Sequence, residues 1–204
     1  MLFRSHTVTR LDLGGGLGVP YQGGAPTASP ADYVAMTARV LDGLNVDAVF
    51  EPGRLLAANA GILLSRVIQI TERAGDVAGT GRRFLVLDAA MNDLIRPAMY
   101  DAFHEVVPVT PRVGEPVRYD IVGPVCETGD TFARDRALTP VLPGDLVAFT
   151  GAGAYGAVMS SEYNTRPLVP EVLVTNENWA VVRPRPSYDD MLDRETTAAW
   201  LSKV

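Results

Sequence analysis

The chain has 204 residues, 47% of them hydrophobic, enough to fill a true core, which excludes a disordered chain and a disulfide-stapled miniprotein. Its formal net charge of -6 leaves no clustered basic face for a phosphate backbone, so nucleic-acid binding is set aside. Of the 18 basic residues all but Lys203 are arginine, so no mechanism that needs a lysine in a pocket can be run by these residues alone.

In chain order, Met1 to Thr9 shows no clear period. Arg10 to Leu13 reads as a short strand that runs into Gly14, Gly15, Gly16, Leu17 and Gly18, a stretch only a tight loop tolerates. Val19 to Ser29, with Pro20, Gly23, Gly24 and Pro26, reads as loop. Ser29 then suits an N-cap and Pro30 the first helical position, with Tyr33, Met36, Val40, Leu41 and Leu44 at helical spacing and Gly43 near the end. Val46 to Phe50 reads as a second strand, running into Glu51-Pro52-Gly53-Arg54. Strand, loop, helix, strand and loop make a βαβ unit, whose parallel strands need neighbours. A closed parallel barrel takes about 250 residues, so this segment is either an open sheet or the back of something larger.

After a short helical stretch at Leu55 to Ala60 the texture changes. Ile62 to Thr71, Phe84 to Asp88, Glu105 to Val109, Pro116 to Val122, Asp145 to Thr150 and Glu171 to Thr175 are short, rich in β-branched residues and bounded by Gly, Pro and Asp. Such spacing predicts an antiparallel sandwich or barrel. The expected domains are therefore 1–60 and 61–204, the second closed by a helix over Ser187 to Leu201 with Met191, Leu192 and Trp200 on one side. No run of about 18 apolar residues occurs and no basic region leads an apolar core, so no membrane span or signal peptide is expected, and the expected location is the cytoplasm. A lone Cys126 cannot form an internal disulfide, and His6 and His104 lie too far apart to share a metal, so no metal site is expected.

The chemistry-bearing pieces are loops. Gly14 to Gly18 is no dinucleotide fingerprint, because position 19 is Val and no helix opens at once; nor is there the Gly-Lys-Ser/Thr of a P-loop. A sharp turn and an anion-binding backbone loop both fit it. Glu51 to Arg54 ends the neighbouring parallel strand, so both loops open on one face, where (β/α) barrels hold their active sites. Cys126 in Gly123 to Asp130 reads as a loop thiol or a small buried hydrophobe. Gly151 to Gly156 is a flexible loop with one aromatic hydroxyl, Tyr155. Arg96 and Tyr100, four apart, can share one face of a helical turn.

Taken in order, LDLGGGLGVPY (11–21), EPGR (51–54), DAAMNDLIRPAMY (88–100), GPVCETGD (123–130) and GAYGAVMSSEYNTRPLVPEVLV (153–174) resemble the C-terminal half of the diaminopimelate decarboxylases, of the alanine-racemase-like class of pyridoxal-phosphate enzymes. The resemblance implies an α/β plus all-β fold: the C-terminal portion of a (β/α)8 barrel followed by an antiparallel β-barrel or sandwich domain. It implies pyridoxal 5'-phosphate as cofactor, its phosphate held at Gly15, Gly16, Gly53 and Arg54 with Pro52 between them and the Tyr155 hydroxyl helping. Glu51 would face the pyridine nitrogen. For meso-2,6-diaminopimelate, Arg54, Arg96, Tyr100 and Tyr155 would hold carboxylates, Glu127 the distal ammonium, and Cys126 would give a proton to the α-carbon. The Cys126–Glu127 loop would reach into a partner's site in a homodimer. The family's Schiff-base lysine and its ring-stacking histidine lie on earlier barrel strands, with no counterpart here. The chain thus reads as the truncated back of a longer enzyme, inactive alone and with an unpaired parallel edge. An arginine- or ornithine-type decarboxylase of the same fold and a non-catalytic remnant are the alternatives.

Overall fold

The computed structural model describes residues 8–21, 28–74 and 81–201. Gly23, Gly24, Pro26 and Lys203, together with the first seven residues, lie outside them.

The βαβ unit forms as its sequence pattern predicts. Strand β1 (Arg10–Asp12) pairs in parallel with β2 (Asp47–Val49), Leu11 opposite Ala48. Between them lies α1 (Pro30–Val40), started by Ser29, whose Oγ accepts the Asp32 amide, and by Pro30, whose missing N–H removes one unpaired donor. The apolar stripe of α1 is only partly used. Tyr33 meets Phe50 edge to face at 5.5 Å, while Val34, Met36 and Val40 are exposed. A short helix, α2 (Gly53–Ala57), and one 3-10 turn at Ala58–Ala60 lead out of the unit.

The rest of the chain is mostly sheet. Six strands, β3 (Leu63–Arg73), β4 (Arg82–Leu87), β5 (Val106–Pro108), β6 (Val117–Val122), β7 (Thr131–Leu138) and β8 (Leu146–Phe149), lie in the order β5-β8-β3-β4-β6-β7. The edge strands β5 and β7 approach each other, so the sheet is rolled toward a barrel without closing into one. Strand β4 reads Arg-Arg-Phe-Leu-Val-Leu, nearly continuous in apolar residues, and becomes a central strand with Leu85 and Leu87 fully buried. Around it pack Val67, Ile121, Phe132, Val147 and Phe149, the two phenylalanine rings 4.6 Å apart.

Three expectations are corrected here. The sheet is mixed, because β4 and β6 pair in parallel, Leu85 opposite Ile121. A parallel pair needs a crossover, and the 29 residues from Asp88 to Pro116 inclusive supply it, carrying the helix α3 (Arg96–Tyr100) and β5. Two strands escaped the sequence pattern, β7 and β10 (Asn178–Arg183), the latter forming a hairpin with β9 (Glu171–Thr175). The closing helix over Ser187 to Leu201 is one short helix, α4 (Tyr188–Leu192), held by a capping box between Ser187 and Asp190. Of its expected apolar side, Met191 is buried and Leu192 and Trp200 are exposed. No helix among the described residues is long and apolar enough to cross a membrane.

Candidate functional site

The two loops that leave β1 and β2 are tied together by backbone. The Leu13 amide donates to the Val49 carbonyl at 3.0 Å, and the Glu51 amide donates to the Gly14 carbonyl at 2.8 Å. Asp12 Oδ1 accepts the Gly14 amide at 2.7 Å and bends the chain into its turn. Gly15 is required by this closeness, since a Cβ there would lie 2.5 Å from the Glu51 carbonyl oxygen. Gly16 is required by conformation, with φ of +96°. Beyond Gly14, Gly16 and Gly53, chain neighbours apart, no heavy atom of the described residues comes within 4 Å of where a Cβ would sit, so those residues leave one side of both loops open. Glu51 is exposed there, and Pro52 caps the turn that starts α2 at Gly53.

A third loop joins these two from the sheet. Gly153 lies so close to the chain leaving α2 that a Cβ would fall 2.0 Å from the Ala57 carbonyl oxygen, and its amide donates to the Ala58 carbonyl at 3.0 Å. The Ala152 amide donates to the Gly61 carbonyl. Val19, Ala58 and Ala154 close a small core with Tyr21 and Leu55 against it. This packing brings the Arg54 guanidinium over the Tyr155 ring, 5.5 Å from its centre. Tyr155 itself holds φ of +59°, a left-handed conformation unusual for a bulky residue.

Arg96, at the start of α3, is 7% exposed. Its Nη1 donates to the Tyr21 hydroxyl at 3.2 Å and to His104 Nε2 at 3.1 Å, and its guanidinium lies 5.3 Å from the centre of the Tyr21 ring. His104 is fully buried, its Nδ1 3.0 Å from the Thr150 carbonyl and its ring edge to face with Tyr21. Burial holds its imidazole below the ordinary histidine range; the Thr150 carbonyl opposes that shift and the Arg96 charge adds to it. Tyr100, four residues on, is exposed, so the two expected side chains of α3 meet different surroundings.

Cys126 and Glu127 lie on a fourth loop. Both are exposed in the loop between β6 and β7, and Glu127 Oε1 accepts the Gly129 amide at 3.0 Å. The loop is stapled by Asp130, buried, whose carboxylate accepts the amides of Met91 and Val125, each at 2.7 Å. Gly123 is forced, since a Cβ would meet that carboxylate at 2.3 Å. Burial raises the Asp130 carboxyl above its ordinary range against the pull of those two amides. Asn164 Nδ2 lies 3.5 Å from Cys126 Sγ. Among the described residues the loop's hydrogen bonds run to Met91, Asp130 and Asn164, and none reaches Gly15, Glu51, Arg54 or Tyr155.

Five residues at these junctions carry no role in the sequence reading. Arg166 donates through Nε to Asn92 Oδ1 at 3.0 Å and through Nη2 to the Asp88 carbonyl at 2.7 Å, with buried Asp93 3.4 Å away. Asn92 in turn donates to the Ser161 carbonyl at 2.9 Å. This knot joins the 88–100 segment to the 153–174 segment. Tyr21 and His104 make a second knot, around Arg96. The signal for Tyr21, Asn92, Asp93 and Arg166 was their place inside the same sequence segments as the candidate residues. For His104 there was none. No group of three or more His, Cys, Asp or Glu among the described residues could hold a metal ion.

Comparison with known proteins places these segments in context. Residues 21–153 match the family described as pyridoxal-dependent decarboxylase, C-terminal sheet domain. A diaminopimelate decarboxylase of Zymomonas mobilis is 50% identical over 197 residues, covering 96% of this chain and 45% of that relative. The chain thus spans less than half the length of the curated relatives it matches. A crystal structure of diaminopimelate decarboxylase from Helicobacter pylori complexed with L-lysine superposes with a TM-score of 0.80 at 37% identity, over 91% of this chain and 44% of that one. For a lysine/ornithine decarboxylase from Vibrio vulnificus complexed with cadaverine the TM-score is 0.62 at 27% identity, over 76% and 40%.

Proposed function

Because the chain belongs to the pyridoxal-dependent decarboxylases and carries their C-terminal sheet domain, we propose that it supplies half of an enzyme that decarboxylates meso-2,6-diaminopimelate to L-lysine. In that reading residues 1–60 are the last part of a (β/α)8 barrel and 61–204 the sheet domain behind it. The observation that carries it is the convergence of the glycine loop, the Glu51–Arg54 loop and the Tyr155 loop on one open mouth.

Pyridoxal phosphate fits what that mouth offers. The open side of Gly14, Gly16 and Gly53 gives a dianion close approach to backbone without a Cβ in the way. Gly15, Gly16, Gly53 and Arg54, with Pro52 shaping the turn and the Tyr155 hydroxyl beside it, would hold the phosphate; Glu51 would hold the proton on the pyridine nitrogen. When bound, the cofactor supplies a sink for the electron pair released as carbon dioxide leaves. The chain's own residues bind and orient. Arg54 and Arg96 would take the substrate carboxylates, guanidinium matching carboxylate in paired hydrogen bonds, with Tyr100 and Tyr155 adding hydroxyls. Glu127 would hold the distal ammonium, and Cys126 would return a proton to the α-carbon. Cys126 and Glu127 are exposed, and among the described residues their loop makes no hydrogen bond to the mouth, so the proposal includes a homodimer in which it serves the partner's site.

The test is a hybrid enzyme that joins this chain to the N-terminal half of the 50%-identical relative. With pyridoxal phosphate it should release carbon dioxide from meso-diaminopimelate. Release from ornithine or arginine alone would sink the reading and favour the arginine/ornithine type, and no release from any of the three would favour a non-catalytic remnant.

A further inference from the structure

The surroundings of Arg96 contain a second layer of information. A buried guanidinium is expensive unless a carboxylate answers it. Among the described residues no carboxylate lies within ion-pairing distance of Arg96, and its side-chain hydrogen bonds all leave from Nη1. Nε and Nη2, the parallel donors that form the side-on fork for a carboxylate, have no partner there, and neither is a sealed polar atom left without one.

What fixes Nη1 also fixes the fork. The Thr150 carbonyl can only accept, so the proton of His104 belongs on Nδ1. Nη1 of Arg96 can only donate, so Nε2 must keep its lone pair. The neutral imidazole protonated at Nδ1 is the one form that satisfies both neighbours; an imidazolium would set N–H against N–H. The Tyr21 hydroxyl accepts a second bond at the same Nη1, and its ring lies beside the guanidinium. The three anchors come from three places: Tyr21 follows the glycine loop, His104 precedes β5, and Thr150 opens the loop that carries Tyr155.

We propose that His104 and Tyr21 are positioning residues, a latch that holds Nη1 of Arg96 so that its free Nε–Nη2 fork faces a substrate carboxylate. The inference rests on the decarboxylase reading for the identity of the substrate, while the latch itself stands on geometry. Its position ties the orientation of the fork to two of the three loops that form the mouth, the glycine loop and the Tyr155 loop.

Two experiments test it. In the chain itself, with His6→Gln to leave one ring, nitrogen NMR of His104 at pH 7 should show a neutral imidazole protonated at Nδ1. Protonation at Nε2 or an imidazolium would overturn the latch whether or not the hybrid turns over. In the hybrid, His104→Leu should raise KM roughly tenfold with kcat changed less than about threefold, since one partner of a buried charged hydrogen bond is lost. His104→Gln, which keeps an acceptor oxygen, should recover KM to within about threefold of the parent, and Tyr21→Phe should sit between them. Placed on Arg96→Gln, His104→Leu should add nothing, because its effect passes through the guanidinium. Equal defects in the Leu and Gln variants, or full additivity with Arg96→Gln, would overturn the proposal. If the hybrid acts only on ornithine or arginine, the decarboxylase substrate is wrong while the same KM series, on another α-carboxylate, still decides the latch.

Discussion

His104 presents its two ring nitrogens to groups of opposite character, and that makes its protonation a matter of fold stability as well as of orientation. In the unfolded chain it titrates near the ordinary value of about 6.5. In the folded chain burial, with Arg96 adding to it, depresses that value. The unfolded state therefore binds more protons in this window, and the stability present above about pH 6.5 falls as pH drops toward the depressed folded value. Urea midpoints measured between pH 8 and pH 5 should decline in this range, and His104→Gln should flatten the decline; an unchanged slope would mean that His104 is not buried neutral. Glycine acts at the same scale by what it leaves out. Gly15→Ala would push a Cβ against the Glu51 carbonyl, a backbone atom that cannot swing away. The expected loss is about 2 kcal/mol in urea unfolding, as for other forced backbone displacements. The glycine run was visible in the sequence as a loop, but the reason for Gly15 lies in a carbonyl 36 positions later, which no local pattern encodes.

Elements were legible where one face was wet and the turn residues were standard. Strands β1 to β6, β8 and β9 and the start of α1 fall within a few residues of their sequence-based limits. The strands that escaped break one of those conditions. In β7 the run Arg134-Asp135-Arg136 interrupts the apolar pattern, and Asp135 takes φ of +48° with the pairing register shifting nearby. The hairpin that leads into β10 turns through Asn176-Glu177 without the glycine that usually signals such a turn. Buried Asp120 on β6 explains how β7 tolerates its irregular backbone. One carboxylate oxygen accepts the Asp135 amide at 2.8 Å, and the other pairs with Arg82 on β4. Asp120→Ala should therefore destabilise the sheet by about 1–3 kcal/mol, the cost of leaving a part-buried amide unanswered. Arg82→Ala should cost less, its side chain being half exposed. Equal losses in urea titrations of the two variants would show that the ion pair, not the amide bond, holds the bulge.

At the scale of the molecule, the change from a strand–helix–strand order to a succession of strands after residue 60 was readable from the helical and strand periods, and the mixed pairing of β4 with β6 was not, because strand order is decided by long-range packing. The candidate site divides in the same way. Residues gathered at the mouth, Gly15, Gly16, Glu51, Gly53, Arg54 and Tyr155, were readable as segments, and the two knots that hold the segments together were not. The molecule also exposes more apolar surface than a lone chain needs: Leu173, Val174, Trp179, Val181 and Val182 of the β9–β10 hairpin are each more than half exposed. Patches of that kind mark surfaces that become covered on association. Together with the lack, among the described residues, of a hydrogen bond between the Cys126 loop and the mouth, this bears on how the site is completed. If each site takes its cradle from one subunit and its thiol loop from the other, an Arg54→Ala hybrid and a Cys126→Ala hybrid will both be inactive alone. Reassorting them gives heterodimers in which one site combines the intact cradle with the intact loop, while the other carries both lesions. Random exchange makes half of the dimers heterodimers with one working site in two, so the mixture should recover about a quarter of the parent activity. If thiol and cradle belong to the same subunit, every site in the mixture keeps one lesion and the activity stays at the level of the separate variants, which would overturn the shared-site proposal.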